Sequence, residues 1–205
     1  MSSESIEEAV SRLCLASSVQ ASADVIPICA SYLRLLHRWN QRMNLTALPL
    51  GEVPPDASIQ KLVVEPLCGA ALAEGFTGDW LDLGSGGGSP ALPLRSVLTG
   101  ARTLSMVESR GRKCAFLREA ARQLRFTGVS VLDCRFEVMP PVQADLVTFR
   151  AVRVDAAFVD VVLAHLRVHG AVLAFGTTVE HPSLEQAGSR QLPDGSSVFR
   201  LVRIS

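Results

Sequence analysis

Short apolar runs separate helical patterns through the second half of the chain. Apolar runs of about four to eight residues that are bounded by turn residues are typical of buried strands. Such runs occupy residues 80–83, 103–107, 128–132, 144–149 and 170–175. Apolar positions at helical spacing lie between them, at 91–98, 111–125 and 155–166. This alternation predicts an α/β fold with a parallel sheet. Pro193-Asp194-Gly195 predicts a turn before a last alternating strand at 198–204, and therefore a terminal hairpin with one antiparallel strand.

The first part of the chain carries only helical patterns. Residues 5–16 predict a short amphipathic helix with acidic residues in its first turn. Asp24 is the predicted cap of a second helix, whose apolar stripe extends to Trp39. A third helix is predicted at 56–73, with Pro66 expected to kink or break it. We expect residues 1–75 to form a helical extension that packs on a core domain at 76–205, as one compact unit.

A glycine-rich loop follows the first predicted strand, in the sequence Asp82-Leu83-Gly84-Ser85-Gly86-Gly87-Gly88-Ser89-Pro90. Ser89 and Pro90 read as the N-cap and the first residue of the next helix. Glycines let the backbone approach a ligand closely, and amides that open a helix favour polar or anionic groups. The loop therefore predicts a site for a nucleoside-containing cofactor.

The spacing of the glycines separates the cofactor classes. The dinucleotide pattern Gly-x-Gly-x-x-Gly is incomplete, because its third glycine would fall on Ser89. The pattern Gly-x-Gly-x-Gly with an acidic residue two places earlier is complete, and it resembles the loop of S-adenosylmethionine (SAM)-dependent methyltransferases. Two other interpretations are a nucleophile elbow at 87–91, disfavoured because three glycines intervene after the strand, and a turn that binds nothing.

Glu108 ends the second predicted strand, about twenty residues after the glycine loop. A carboxylate at that position can accept hydrogen bonds from both hydroxyls of a ribose. The alternative is that Glu108 only caps the following helix. Strand end and spacing together favour the ribose.

Composition narrows the class of protein. The chain has 205 residues, 48% of them hydrophobic, and twenty basic side chains balance twenty acidic ones, so net charge gives no support to a dedicated nucleic-acid binder. Five scattered cysteines without Cys-x-x-Cys spacing predict reduced core thiols. The four histidines lack metal-ligand spacing, so no metal site is expected. With no long apolar run and an acidic N-terminus, we expect a cytoplasmic protein without a membrane span.

A second informative stretch ends the second helix, Trp39-Asn40-Gln41-Arg42-Met43-Asn44-Leu45-Thr46. It resembles the Trp-Asn-x-x-x-Asn-Leu-Thr signature of the bacterial ribosomal-RNA small-subunit methyltransferase G family, also called glucose-inhibited division protein B. Asn44 and Thr46 are expected to close the helix through side-chain bonds to the backbone, and Trp39 to anchor it. The resemblance covers residues 32–204 and includes the glycine loop in the right order.

The resemblance implies a fold and an activity. The fold is a seven-stranded, mostly parallel sheet of the class I SAM-dependent methyltransferase type, Rossmann-like, with an N-terminal helical extension. The activity is methylation of a guanosine at N7 in 16S rRNA, with SAM as cofactor and 16S rRNA or a small-subunit particle as partner. A monomer in the cytoplasm is expected.

The resemblance also implies the site residues. Arg135-Phe136-Glu137 resembles the family's Arg-x-Glu near the adenine, and Arg150-Ala151 resembles its Ser-Arg-Ala, with Arg150 positioning the base. The cofactor would be held by Asp82, Gly84, Ser85, Gly86, Gly88, Ser89, Glu108, Phe136, Glu137 and Arg150. The RNA would be held by Arg34, Arg38, Arg42, Arg135, Arg153 and Arg200.

The sequence lacks the motifs that other methyl acceptors require, which agrees with guanine N7 as the acceptor. The Asn/Asp-Pro-Pro-aromatic motif that serves exocyclic amines is replaced by Phe149-Arg150-Ala151-Val152. A pyrimidine carbon needs a cysteine nucleophile, and only Cys134 comes near a strand end. Because N7 offers a lone pair and bears no proton, its methylation requires alignment and desolvation rather than a general base.

Several positions depart from the family pattern. Lys61-Leu62 and Glu65-Pro66 replace a basic-His pair and an Asp-Ser pair, Ser89-Pro90-Ala91 replaces part of the family loop, and Phe175-Gly176 replaces Lys-Gly. Two alternatives follow: a methyltransferase of this fold with another RNA or a small molecule as acceptor, and a non-catalytic RNA-binding or assembly protein. An NAD-linked dehydrogenase is disfavoured by Ser89.

Overall fold

The computed structural model of the protein describes residues 4–205 and has one seven-stranded mixed sheet. Its strands are β1 (Asp79–Leu83), β2 (Thr103–Glu108), β3 (Val129–Asp133), β4 (Ala144–Arg150), β5 (Leu166–Phe175), β6 (Leu184–Gln191) and β7 (Ser197–Arg203). Their order across the sheet is β3-β2-β1-β4-β5-β7-β6. The first five strands are parallel, and β7 runs antiparallel to both β5 and β6. The predicted α/β fold and its antiparallel ending are confirmed.

The helices are α1 (Ile6–Ala16), α2 (Val25–Asn40), α3 (Asp56–Ile59), α4 (Glu65–Ala70), α5 (Ala91–Val97), α6 (Gly111–Gln123) and α7 (Ala156–His165). A π-helical turn, Gln60–Val64, joins α3 to α4, and 3₁₀ turns occupy Ala71–Ala73 and Phe136–Val138. No helix within residues 4–205 combines the length and the apolar character that crossing a membrane requires.

The two faces of the sheet carry separate apolar cores. Successive strand residues point to opposite faces, and in β1 Trp80 belongs to one core while Leu81 and Leu83 belong to the other. Helices α1 to α6 pack on the Trp80 side, so the N-terminal helices and the sheet share one core. Helix α7 covers the opposite face through Phe158, Val159 and Val162.

The helix ends differ in part from the prediction. Ser5 caps α1: its hydroxyl accepts a hydrogen bond from the Glu8 amide (3.2 Å), and the Glu8 carboxylate accepts one from the Ser5 amide (2.7 Å). Asp24 occupies the predicted N-cap position of α2, but its side chain makes no capping bond. Helix α5 begins at Ala91 with Pro90 at the N-cap, while the Ser89 hydroxyl donates to the Leu62 carbonyl oxygen (2.8 Å) instead of capping.

Pro66 does not break the third predicted helix. The chain stays helical from Asp56 to Ala73 and widens into the π turn just before Glu65 and Pro66. A proline lacks an N–H and its ring clashes with the carbonyl one turn earlier, and a π turn is one way for a helix to accommodate such a defect. The turn places both Lys61 and Glu65 near the carboxyl ends of the strands, beside Arg150.

Candidate functional site

The glycine loop is held against the end of β2 in a conformation that side chains disfavour. Gly84, Gly86 and Gly88 have φ values of 71°, 54° and 89°. The amides of Gly84 and Ser85 both donate to the Val107 carbonyl oxygen, at 3.0 and 2.9 Å. A Cβ on Gly88 would lie 2.5 Å from Leu92 Cδ1. Glycine is therefore favoured at this position by its φ, and an added Cβ would also displace the Leu92 side chain.

Glu108 connects the tip of β2 to the loop. One carboxylate oxygen accepts a hydrogen bond from the Gly86 amide (3.0 Å), and the other accepts one from the Arg110 amide (2.9 Å). Both bonds hold the charged side chain at the edge of the loop, where it lines a cavity. Arg110 is the N-cap residue of α6, so the bond from its amide makes Glu108 a cap in part. The Arg110 side chain itself makes no capping bond.

The cavity lies at the carboxyl ends of the strands and has a volume of about 520 Å³. Ligands bind in this crevice in open parallel sheets, and sites for small molecules have volumes of about 300–1,000 Å³. Its lining comprises Leu45, Thr46, Leu48, Lys61, Leu62, Gly84, Ser85, Gly86, Gly87, Ser89, Glu108, Arg110, Lys113, Arg150 and Ala151.

The residues present fit a nucleoside cofactor. The side-chain-free backbone at Gly84, Gly86 and Gly87 forms one wall, and a Cβ on Gly86 would approach Lys113 Nζ to 3.8 Å. The Glu108 carboxylate lies beside that wall as a hydrogen-bond acceptor for hydroxyl groups. Basic groups of Lys61, Arg110 and Lys113 also line the cavity and suit a carboxylate or a phosphate.

Asp82 lies beneath the loop rather than in the cavity. The side chain is buried, one oxygen accepts a hydrogen bond from the Thr148 hydroxyl, and the other oxygen has no partner within residues 4–205. Thr148 in turn accepts a bond from the Trp80 indole N–H (2.8 Å). Burial raises the pKa of Asp82 to about 6. Asp82 therefore supports the loop from below and does not line the cavity, and its contact with the cofactor stays a prediction.

Arg150 joins three elements at the floor of the cavity. Its guanidinium donates to the Lys61 carbonyl oxygen (2.5 Å) and the Ser89 hydroxyl (3.1 Å), and pairs with Glu65 at 3.2 Å. Its carbon Cζ lies 5.2 Å from the centre of the Phe175 ring. Burial lowers the pKa of Arg150, and the Glu65 carboxylate acts against that shift. The guanidinium thus fixes the π turn and the glycine loop to the end of β4.

The departures from the family pattern meet at this point. Lys61 Nζ lies 3.0 Å from the buried carboxylate of Glu65 and 2.7 Å from Asp194, in the turn between β6 and β7. Burial raises the pKa of Glu65, while Arg150 and Lys61 oppose that rise. Lys61 also holds the pKa of Asp194 below its usual range. Lys61, Glu65, Ser89 and Phe175 therefore form one cluster around Arg150.

The N-terminal helices contribute a contact that the sequence pattern did not reveal. The Tyr32 hydroxyl on α2 donates to the Gly87 carbonyl oxygen in the loop, at 2.8 Å. Tyr32 is the only tyrosine of the chain and is 1% exposed, and a tyrosine in an apolar helix stripe is a signal for such a partner. Downstream of α2, Leu45 and Thr46 line the cavity. Their amides donate to the Asn40 side-chain oxygen (2.8 and 3.0 Å), so Asn40 closes the helix in place of the predicted Asn44.

The six arginines expected at the RNA fall into different places. Arg38 and Arg42 line a hollow at the end of α2, whereas Arg34 pairs with Glu7 at 2.6 Å. Arg135 and Arg153 follow the carboxyl ends of β3 and β4 and are exposed, without lining the cavity. Arg200 lies opposite Leu173 and lines a depression at the amino ends of the strands. Arg200 does not line the cavity, and its contact with the RNA stays a prediction.

Three further sequence predictions concern residues at the rim or outside it. Phe136 packs edge-on against Phe158 (5.5 Å between centroids) and Glu137 is exposed, and neither lines the cavity. Cys134 also lies outside the lining, and none of the five cysteines forms a disulfide. No group of three or more His, Cys, Asp or Glu side chains is placed to hold a metal within residues 4–205.

Comparison with known proteins gives a family. The model of a family described as GidB, rRNA small subunit methyltransferase G, matches residues 26–199. The ribosomal RNA small subunit methyltransferase G of Stenotrophomonas maltophilia (strain K279a) is 32% identical over 191 residues, which is 92% of this chain and 84% of that protein.

Solved structures that are similar to the chain share its fold. TrmN from Thermus thermophilus has a TM-score of 0.54 at 19% identity, covering 68% of this chain and 49% of that one. TYW2 of P. horikoshii, solved in complex with MeSAdo, has a TM-score of 0.54 at 17% identity, covering 70% and 63%. The sheet order, the loop at its carboxyl edge and the match over most of the sequence lead to one conclusion: this chain belongs to the rRNA small subunit methyltransferase G family.

Proposed function

We propose that the protein transfers a methyl group from SAM to N7 of a guanosine in 16S rRNA. The single observation that carries the cofactor assignment is the Glu108 carboxylate beside the open backbone of Gly84 and Gly86, in a cavity of about 520 Å³. One structural neighbour, TYW2, was solved with MeSAdo, which supports a ligand of the same kind in this fold. The rRNA acceptor follows from the family to which the chain belongs.

Some residues of the cavity would bind the cofactor or the RNA, and others would hold the site in its orientation. When bound, SAM supplies an electrophilic methyl group on a sulfonium. Glu108 accepts hydrogen bonds from the ribose, and the loop amides face the polar end of the cofactor. Asp82 and Tyr32 hold the loop in shape from two sides. Lys113 and Arg110 lie at the same cavity and are available to the phosphates of the acceptor.

A guanine N7 needs no proton removed before it attacks the methyl group. The chain would therefore accelerate transfer by aligning the base and excluding water. Arg150 contributes indirectly: its two terminal nitrogens donate to Lys61, Ser89 and Glu65, and it fixes the floor against which the base lies. The partner would be 16S rRNA or a small-subunit particle, and the enzyme would work in the cytoplasm as a monomer.

The test is methyl transfer from labelled SAM to acceptors prepared from cells that lack the gene. Deproteinised 16S rRNA and 30S particles are each incubated with the protein, digested to nucleosides and separated by chromatography. The proposal expects the label in 7-methylguanosine. Label in another nucleoside, or no label in either acceptor with SAM tightly bound, would exclude the N7 assignment.

A second candidate is a methyltransferase of this fold with a different acceptor. One observation favours it: the Arg150 guanidinium is engaged by protein acceptors and faced by the Phe175 ring, so fewer cations are free on the floor of the cavity. The same transfer experiment separates the two, since this candidate expects SAM binding without methylation of rRNA.

A further inference from the structure

The end of α2 forms a hollow that the cofactor does not use. We name it the Trp39 hollow, and its lining is Arg38, Trp39, Gln41, Arg42 and Met43. Its volume is about 380 Å³. Trp39 is half-buried, with its ring held edge-on by Phe116 of α6 at 5.8 Å between centroids. An aromatic ring fixed on one side and lining a hollow on the other is a platform on which a flat ligand can stack.

The charges around the hollow select the kind of ligand. Arg34 and Arg38 share one face of α2 at four-residue spacing, and Arg42 lies in the turn just past the end of the helix. Arg34 is neutralised by Glu7 at 2.6 Å. Arg38 and Arg42 are exposed, and among the described residues no carboxylate lies within ion-pairing distance of either one. Two free guanidinium groups beside an aromatic platform match a nucleobase with its phosphates, because arginine binds phosphate and bases stack on aromatic rings.

The hollow is fixed relative to the cofactor cavity. Met43 lines the hollow, and Leu45, two residues later, lines the cavity. Asn40 ties the turn between them through its bonds to the Leu45 and Thr46 amides. Phe116 also brings α6 against Trp39, and Lys113, one turn earlier on α6, lines the cavity. A single strand with one base in the cavity therefore has an adjacent platform at a set separation.

We propose that the Trp39 hollow is a second nucleobase subsite, which takes an unpaired base flanking the methylated guanosine. The base stacks on the Trp39 indole, with Met43 beside it, and Arg38 and Arg42 contact its neighbouring phosphates. Stacking on an aromatic side chain adds affinity for a base whatever its sequence. This inference rests on the proposed rRNA acceptor and adds the surface by which single-stranded RNA is held during transfer.

The arginines give the first test, with a matched control on the same helix. Binding of deproteinised 16S rRNA is measured by filter retention at several salt concentrations for Arg38→Ala, Arg42→Ala and Arg34→Ala. Arg38→Ala and Arg42→Ala are expected to weaken binding several-fold each and to reduce the salt slope by about 1 each. Arg34→Ala is expected to bind as the wild type does. Equal effects at all three positions, or none at Arg38 and Arg42, would overturn the subsite.

Trp39 gives the second test, through its fluorescence. The only other tryptophan, Trp80, is 1% exposed and bonded to Thr148. RNA is expected to quench the wild-type emission, and Trp39→Phe is expected to lose the quenching but keep the affinity within a few-fold, since phenylalanine still stacks. Trp39→Leu is expected to lose about tenfold or more in affinity. Undiminished quenching in Trp39→Phe, or full affinity in Trp39→Leu, would contradict stacking.

Two controls separate this inference from the proposed function. Calorimetry with SAM on every variant checks that the fold and the cofactor cavity remain intact. If the wild-type protein methylates rRNA and all variants bind rRNA normally, the subsite is refuted and the proposed function stands. Wild-type protein that neither binds nor methylates deproteinised rRNA or 30S particles would refute both.

Discussion

Two carboxylates next to the glycine loop, Asp82 and Glu108, differ in what surrounds them. Glu108 lines the cavity and is bonded to two backbone amides, whereas Asp82 is buried below the loop with one oxygen lacking a partner within residues 4–205. Sequence alone placed both at the cofactor, because each ends a strand at the expected spacing. Both are buried, but only Glu108 borders the cavity, and Asp82 is bonded below the loop to Thr148, which also binds Trp80 of another strand.

Replacing Glu108 tests the ribose contact. Glu108→Gln keeps the size of the side chain but removes its charge, so charge-assisted bonds to the ribose hydroxyls become ordinary ones. We expect SAM affinity to fall by about 1.5–3 kcal/mol, roughly 10–100-fold, measured by calorimetry. Glu119→Gln, on the outer face of α6 beside Arg122, is the matched control and should bind SAM normally. Unchanged affinity in Glu108→Gln would refute the contact.

Asp82 should make stability depend on pH. Its pKa is raised to about 6 by burial, above the value of about 3.9 expected in the unfolded chain. The folded state therefore binds the proton more tightly, and this contribution to stability is full below about pH 4 and lost as pH rises to 6. Asp82→Asn should be more stable than wild type by up to roughly 3 kcal/mol at pH 7 and equal to it near pH 4.

Urea unfolding of both proteins at several pH values provides that comparison. Glu65 also has a raised pKa from burial, and it is present in both proteins, so its effect cancels in the difference. A difference between the two proteins that stays constant from pH 4 to pH 7 would show that Asp82 does not titrate as described.

At the scale of elements, the glycine loop was predicted correctly from spacing, and the end of the third helix was not. The loop follows from local chemistry, since three positive φ values require glycine wherever they occur. The π turn at Gln60–Val64 instead accommodates Pro66 and brings Lys61 and Glu65 into contact with Arg150. Arg150 is about ninety residues away in sequence. Such long-range contacts leave no local pattern.

The tight packing of the loop predicts a large effect of a single methyl group. In Gly88→Ala the new Cβ meets Leu92 and also demands a positive φ, so the free energy of unfolding should fall by about 2–5 kcal/mol. Gly176→Ala carries the φ cost alone, because nothing lies within 4 Å of its Cβ, and should lose about 1–2 kcal/mol. Chemical unfolding measures both, and equal losses would show that the loop has room at Gly88.

For the whole molecule, the sequence predicted the sheet, its antiparallel ending and the helical extension. The placement of charged side chains on the assembled surface was harder to predict. Arg34 carries the same helical spacing as Arg38 and Arg42, yet Glu7 of α1 neutralises it. Arg200 alternates like a surface residue, but it lines a depression together with residues from the amino ends of the strands and lies outside the cavity. The surroundings of each of these arginines depend on residues of other helices and strands. The periodicity of its own element does not show those residues.

The shared core predicts how the molecule unfolds. Apolar side chains of α1 and α2 belong to the same cluster as Trp80, Leu104 and Leu146 of the sheet. Residues 1–75 should therefore unfold together with residues 76–205, in one calorimetric transition whose van't Hoff and calorimetric enthalpies agree. Two separated transitions would mean that the extension is an independent unit.

The most direct test of the central claim is a map of N7-methylated guanosines in 16S rRNA, made by chemical cleavage at the modified base. RNA is compared from cells with the gene, cells without it, and cells carrying Glu108→Ala. The proposed function predicts that one guanosine loses its methyl group when the gene is absent, regains it with the wild-type gene, and does not regain it with the variant. Identical maps from all three would contradict the assignment.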